Sequence, residues 1–273
     1  MKTYTITGAT GYIGSQLIKH LTNNGDFVNA IVRQDKHYPH LEHKNIKVFL
    51  YEEECDLEQP IENSDYIIHL GALYTTQEDA RATIDLINSN ILFSTQIFNV
   101  AKRTNPNAVI ASASTFSSLD GHGNYSPSTL YAATKSAVET IAKYYRELSI
   151  HFLTFPDTYG PGDWRPKIHN ILAKNKEWPF QFRSSGKQEM RMLHVEDIIG
   201  HLLTSLENEE KGVHIHDIYA EGILVNLKEL SEAITERECL FDESSVIVEI
   251  PKKERDGSTL TGYKNKHSKL RFL

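Results

Sequence analysis

The strongest constraint in the chain is its first stretch. Thr3 to Thr7 alternates and is rich in β-branched side chains, as a strand is, and Ile13, Leu17, Ile18 and Leu21 follow at helical spacing. Between them Gly8, Gly11 and Gly14 stand in the pattern G-x-x-G-x-x-G. A strand that turns through glycines straight into a helix is a phosphate cradle. Glycine permits the tight turn and a close backbone approach, and the helix N-terminus adds partial positive charge. The expected ligand is the pyrophosphate of a dinucleotide. Glycine spacing alone is a weak signal, but here both flanking elements are present.

A chain of 273 residues accommodates one large α/β domain, or one domain with a small lobe. The net charge of −7 argues against a nucleic-acid partner, so an anionic ligand must find local positive charge. Cys55 and Cys239 offer neither a disulfide framework nor a metal cluster and fit a reducing compartment. No apolar run approaches the ~18 residues of a membrane helix. The chain opens on a strand rather than a signal peptide. A soluble, cytoplasmic protein with no membrane partner is expected.

Along the chain, further strands are expected at 27–32, 46–51, 66–70, 109–114 and 150–155, with helices at 79–103 and 131–148. That alternation gives an α/β fold with a doubly wound parallel sheet, whose ligand lies at the carboxyl ends of the strands. The second strand runs into Arg33. A guanidinium there suits a 2′-phosphate and favours NADP, while Asp35 leaves NAD open. The fourth strand ends in Gly71-Ala72, where small residues let the chain pass close to a cofactor. His37, His40 and His43 fall in a polar loop interrupted by Pro39, and His214 and His216 alternate along a strand, so no metal site is expected.

Tyr131 and Lys135 lie four apart at the start of a helix and share a face. A nearby ammonium stabilises a phenolate, which makes the tyrosine a usable acid or base near neutral pH. Lys135 can also bond the nicotinamide ribose. Tyr-x-x-x-Lys occurs often by chance. Here it follows a strand ending in hydroxyls, in a chain that starts with a dinucleotide loop.

Together these segments resemble the extended short-chain dehydrogenase/reductases that act on nucleotide-sugars, the NAD-dependent epimerase/dehydratase family. The resemblance rests on Thr7 to Gly14, Cys55-Asp56-Leu57, His69-Leu70-Gly71-Ala72, Asn90, Tyr131 to Lys135, Tyr159 to Asp163 and His194 to Asp197. Ser114-Thr115-Phe116 and the short length look most like the CDP-abequose and CDP-paratose synthases, which reduce a 4-keto sugar nucleotide with NADPH. The resemblance implies a Rossmann-type fold with a small C-terminal substrate lobe. It implies cofactor contacts from Gly8, Thr10, Gly11, Tyr12, Ile13, Gly14, Arg33, Asp56, Leu57, Leu70, Gly71, Ala72, Asn90, Tyr131, Lys135 and Pro156. It also implies a nucleotide-sugar substrate and a homodimer packed through the helices at 79–103 and 131–148.

Three departures from the family pattern matter. Ala113 stands where a catalytic Ser or Thr is usual, so Ser112, Ser114 or Thr115 must hold the substrate oxygen, with Ser114 favoured. Ser114-Thr115 carries no carboxylate, so elimination of water lacks its acid–base pair. Met190 and Thr154 stand where the family often has arginines, with Arg191 adjacent. Residues 1–163 are expected to form the dinucleotide-binding domain, to which 190–219 return, and 164–273 mainly the substrate lobe. In that lobe Trp164 to Lys167, Glu177 to Phe180 and Arg183 to Lys187 mix aromatic and basic side chains suited to a nucleotide diphosphate. A basic tail follows, formed by Lys252, Lys253, Arg255, Lys264, Lys266, Lys269 and Arg271. The expected activity is NADPH-dependent reduction, with NAD-dependent epimerisation or non-catalytic NADP sensing as alternatives.

Overall fold

Thr3–Thr7, the first strand (β1), lies inside a seven-stranded parallel sheet. The computed structural model describes residues 1–120, 124–242 and 261–270. The next strands are β2 (Phe27–Val32), β3 (Ile46–Leu50), β4 (Tyr66–His69), β5 (Val109–Thr115) and β6 (Ser149–Phe155). Short strands β7 (Asp157–Tyr159), β8 (Phe180–Gln181) and β9 (Glu189–His194) precede β10 (Gly212–His216). The order across the large sheet is β10-β6-β5-β4-β1-β2-β3. The chain builds outward from β1 to β3, then returns to the other side of β1 as β4. That reversal opens a crevice at the carboxyl ends of β1 and β4.

The strands are apolar on both faces because both are covered. Along β2, Val28, Ala30 and Val32 belong to one buried cluster and Ile31 to the other. Ile68 and Ile67 of β4 divide the same way, as a side-chain period of two requires. On one face lie α1 (Tyr12–Asn23) and, from late in the chain, α7 (Val195–Ser205). On the other lie α2 (Glu58–Glu62), a long helical stretch over 80–104, and α5 (Leu130–Ala142).

The helix expected at 79–103 is present but not uniform. It comprises α3 (Ala80–Leu86), capped by the Asp79 carboxylate on the Ala82 N–H, then a wider π-helical turn over Ile87–Leu92, then α4 (Phe93–Thr104). The helix expected to reach 148 ends at Ala142. There the N–H groups of Lys143, Tyr144 and Tyr145 tighten onto carbonyls three residues back, and the Tyr145 hydroxyl anchors on Asn99 Oδ1 at 2.7 Å. This brings the buried Leu148 down to the start of β6.

A third core belongs to the lobe. It gathers Tyr159, Leu172, Phe182, Met192, Val225 and Leu230. Around it stand α6 (Ile168–Lys174), α8 (Leu227–Ile234) and a small sheet in which β9 runs between β7 and β11 (Ile223–Asn226). A two-residue strand, β12 (Cys239–Leu240), pairs with β8. Residues 195–205 and 212–216 pack with the large sheet, 212–216 as its edge strand beside β6. No helix of the described residues is long and apolar enough to cross a membrane.

Residues 261–270 run as an irregular strap over α7. Buried Asp197 accepts from the backbone N–H groups of Lys266 (2.7 Å) and His267 (3.2 Å) and meets His267 Nδ1 at 2.9 Å. His201 meets Asn265 Oδ1 at 2.9 Å. His194 and Glu196 approach His267 here, the one group of metal-ligating side chains gathered among the described residues. Within it His194 Nδ1 accepts from the Glu196 N–H, and Glu196 Oε2 faces His267 Nε2 at 3.6 Å. Lys264, Lys266 and Lys269 are exposed, and the other basic residues of the tail lie outside the described residues.

Tyr263 lies flat on Gly200, where an added Cβ would stand 2.1 Å from its ring. Gly200→Ala is therefore expected to lift the strap at a cost of about 1–3 kcal/mol. The check is a lower thermal midpoint with faster hydrogen exchange in 261–270 and little change in the β1–α1 loop.

Candidate active site

At the crevice, Gly8 adopts φ +70°, and a Cβ there would sit 2.7 Å from the Leu70 carbonyl carbon. A Cβ on Gly14 would lie 2.2 Å from the Gly8 oxygen. These two glycines let β1, the loop after β4 and the first turn of α1 meet. Gly11 caps α1 without a side-chain hydrogen bond, and the first turn carries no acidic residue. Its N–H groups are left to an anion. The loop therefore fits a dinucleotide pyrophosphate.

Two cavities open on either side of this loop and share Gly8, Gly11, Leu70 and Ala72. One, of about 450 Å³, is walled by Thr10, Arg33, Tyr51, Glu52, Gly71 and Ser89 among others. Arg33, the residue expected at the adenosine end, stands on this wall. Arg33 is exposed there, its Nη1 3.4 Å from Ser89 Oγ. The other, of about 550 Å³, is walled by Tyr12, Ile13, Ser114, Tyr131, Lys135 and Pro156, with Ala113 and Thr115 beside them.

Three expected cofactor residues are used differently. Asp56 turns its carboxylate back onto the N–H groups of Glu52 and Glu53, both at 2.9 Å, which holds its pKa below the usual range. Leu57 is fully buried in the core. Tyr51 and Glu52 take their place on the cavity wall. Asn90, at the π turn, spends its whole amide on the protein. Its Oδ1 accepts from the Leu73 N–H (2.8 Å), and its Nδ2 donates to the Leu73 carbonyl and to Thr134 Oγ1, both at 3.0 Å. It positions the loop after β4 against α5 rather than facing a cofactor.

A buried polar chain joins these parts. The Gly71 N–H donates to Thr7 Oγ1, which meets His69 Nδ1 at 2.6 Å; His69 Nε2 meets Ser94 Oγ at 2.8 Å, and Ser94 donates to the Asn90 carbonyl. A carbonyl only accepts, so the chain reads in one direction and assigns the Nε2-protonated tautomer to His69. Burial, then the charge of Lys135, push the His69 pKa down to about 3.

Thr129 caps α5 by accepting from the Ala132 N–H at 3.1 Å, which aims the first turn at the crevice. Tyr131 and Lys135 face it together. Burial, with Tyr74 edge-on at 5.0 Å between ring centroids, pushes the Tyr131 phenol up to about 12. This is opposite to the direction expected from a neighbouring ammonium. Desolvation dominates, and it also draws Lys135 down to about 8 against the opposing charge of Glu139. Of the candidate hydroxyls, Ser114 and Thr115 line the cavity and Ser112 does not. Ser114 Oγ donates a short hydrogen bond to Glu139 Oε1, and Thr115 pairs with Ser117 at 2.8 Å.

On the lobe side, Arg165 and Lys167 reach the cleft. Arg165 clasps Asp163 from Nε and Nη2, both at 2.8 Å, and Lys167 meets Asp157 at 2.9 Å. Trp178 and Phe180 pack into the lobe core instead, and Arg191 is spent on the Ala220 and Gly222 carbonyls. Sequence reasoning did not single out Tyr74, Glu52 or Thr129. Only Thr129 carried a local signal, as a hydroxyl one residue before an apolar helix start.

A sequence pattern describing the NAD dependent epimerase/dehydratase family matches residues 4–220. The chain belongs to this family. It is 27% identical over 241 residues to UDP-glucuronate 4-epimerase 5 of Arabidopsis thaliana, covering 77% of this chain and 55% of that protein. It thus spans about half the length of the curated relatives it matches first. It is 26% identical over 226 residues to CDP-abequose synthase of Salmonella typhimurium, covering 77% of this chain and 72% of that one. Among solved structures it is similar to UDP-N-acetylglucosamine 4-epimerase from Methanobrevibacter ruminantium in complex with UDP-N-acetylmuramic acid. That match has a TM-score of 0.79 at 20% identity and covers 96% and 92% of the two chains, a likeness of fold.

The His69 shift predicts an acid limb of stability. The folded pKa lies below the usual 6.5, so the folded state binds fewer protons between the two values. This contribution is fully present above the usual value and is lost as pH falls towards about 3. Between neutrality and about pH 5 the loss from His69 is about 2 kcal/mol. Chemical denaturation across that range should show it, and His69→Gln should flatten that part of the profile.

Proposed function

We propose that this chain is a cytoplasmic NADPH-dependent reductase acting on the 4-keto group of a nucleotide-diphosphate deoxysugar. The observation that carries this reading is the placement of Tyr131, Lys135 and Ser114 on one wall of a crevice whose floor is the Gly8–Gly14 loop. Bound NADPH would supply the hydride to the carbonyl carbon. Tyr131 gives its proton to the carbonyl oxygen. A phenol held near 12 keeps that proton at neutral pH, the state a reductase needs at the start of turnover. Lys135, one turn along, receives the resulting phenolate as its counter-charge and holds the nicotinamide ribose. Ser114 holds the substrate oxygen, for which its proton must swing away from Glu139. Arg165 and Lys167, on the lobe side of the same cleft, supply cations for a substrate diphosphate once they turn from Asp163 and Asp157.

Arg33 on the adenosine-side wall supports NADPH, because a guanidinium matches a 2′-phosphate. The absence of a carboxylate at Ser114-Thr115 supports reduction over dehydration. An NAD-dependent epimerase is the second reading, supported by the UDP-glucuronate 4-epimerase matches and by Glu52, whose carboxylate suits ribose hydroxyls. A homodimer through α3, α4 and α5 goes with either reading.

Two measurements test the proposal. Tyr131→Phe should lower turnover of an NDP-4-keto-deoxysugar about 10²–10⁴-fold while leaving NADPH binding intact. Unchanged biological activity of that variant would point to a cofactor sensor. Arg33→Ala should weaken NADPH binding by about tenfold or more and leave NADH binding nearly unaltered. Purified protein that carries stoichiometric NAD and needs no added cofactor would replace the reductase by the epimerase.

A further inference from the structure

Glu139 lies four residues beyond Lys135, on the same face of α5, and is 4% exposed. A buried carboxylate is costly unless its charge is answered. Two groups of the crevice answer it. Ser114 at the end of β5 donates to Glu139 Oε1, and Lys135, itself 3% exposed, feels its charge. The carboxylate therefore sits behind the cleft wall, bonded to Ser114 and one helical turn from Lys135, whose charge it supports.

We propose that Glu139 is a positioning residue that holds the Ser114 hydroxyl in place and keeps Lys135 charged inside a desolvated cleft. The inference rests on the reductase or epimerase reading only for its catalytic consequence; the electrostatic linkage stands without it. Lys135 faces Tyr131 and Glu139 along its own helix and His69 from β4. His69 is neutral in its buried network, and Tyr131 is neutral until its phenol ionises, so of these three neighbours it is Glu139 whose charge supports the Lys135 ammonium. Burial alone draws the ammonium downward, and Glu139 opposes it. The same carboxylate fixes where the Ser114 proton rests, on the side away from the cleft. Tyr131 is thereby the donor first presented to a substrate oxygen, and the Ser114 proton joins it only by turning from Glu139.

The test separates charge from shape. Glu139→Gln keeps an oxygen for Ser114 and removes the charge. An NMR titration of the Lys135 side chain in the whole protein, assigned with Lys135→Arg, should move down by about one pH unit or more. Glu139→Asp keeps the charge on a shorter arm and should bring the titration back towards that of the parent. A Lys135 titration unmoved in Glu139→Gln, or lowered equally in Glu139→Asp, overturns the inference. The readout needs no substrate, so it stands apart from the Tyr131→Phe assay: loss of the reductase reading leaves it interpretable, and its own failure leaves that reading intact.

Discussion

The buried polar chain from the Gly71 N–H through Thr7, His69 and Ser94 to the Asn90 carbonyl is the interaction on which the crevice depends. It ties the end of β1 to the end of β4 and to the π turn between α3 and α4. From the same Asn90, the side-chain amide reaches Thr134, and Thr134 donates to the Tyr131 carbonyl at 2.7 Å. The glycine loop and the Tyr131–Lys135 helix are thus joined by one run of satisfied polar groups. Such a run is stabilising only when complete, since a broken link leaves a buried donor or acceptor without water or partner.

Desolvation sets the chemistry of the cleft. It raises the phenol of Tyr131 and lowers the ammonium of Lys135, so each becomes more neutral than in water. The pair is poised rather than pre-ionised: the phenol holds its proton until another charge changes beside it, and Glu139 maintains the positive partner. On the wall of the other cavity, Arg33 lies in solvent with one long contact to Ser89. A group so weakly held is free to turn to an incoming anion.

Much of this was legible in the sequence because it is local. The glycine spacing, the alternation of strands and helices and the four-residue interval from Tyr131 to Lys135 are short-range patterns, and each maps onto a single element or turn. The family match over residues 4–220 agrees with that reading. The roles of Asp56, Leu57 and Asn90 were less legible. Asp56 closes a capping turn on its own neighbours, and Leu57 fills a core assembled from α2, α4 and β2. Asn90 is polar and sits mid-helix, which reads as a ligand contact until Leu73 and Thr134 are seen to consume it.

What the sequence determined by itself was the order of the elements, the glycine-rich loop and the helix that carries Tyr131 and Lys135, since steric and periodic rules act over a few residues. The tertiary structure alone decided which hydroxyls line the cleft, how His69 is protonated, and that Arg165 and Lys167 reach the cleft while Trp178 does not. It also decided the meeting of Ser114 with Glu139. The physical reason is that burial and opposing charge are supplied by residues distant along the chain, and neither has a period that a single strand of sequence can display.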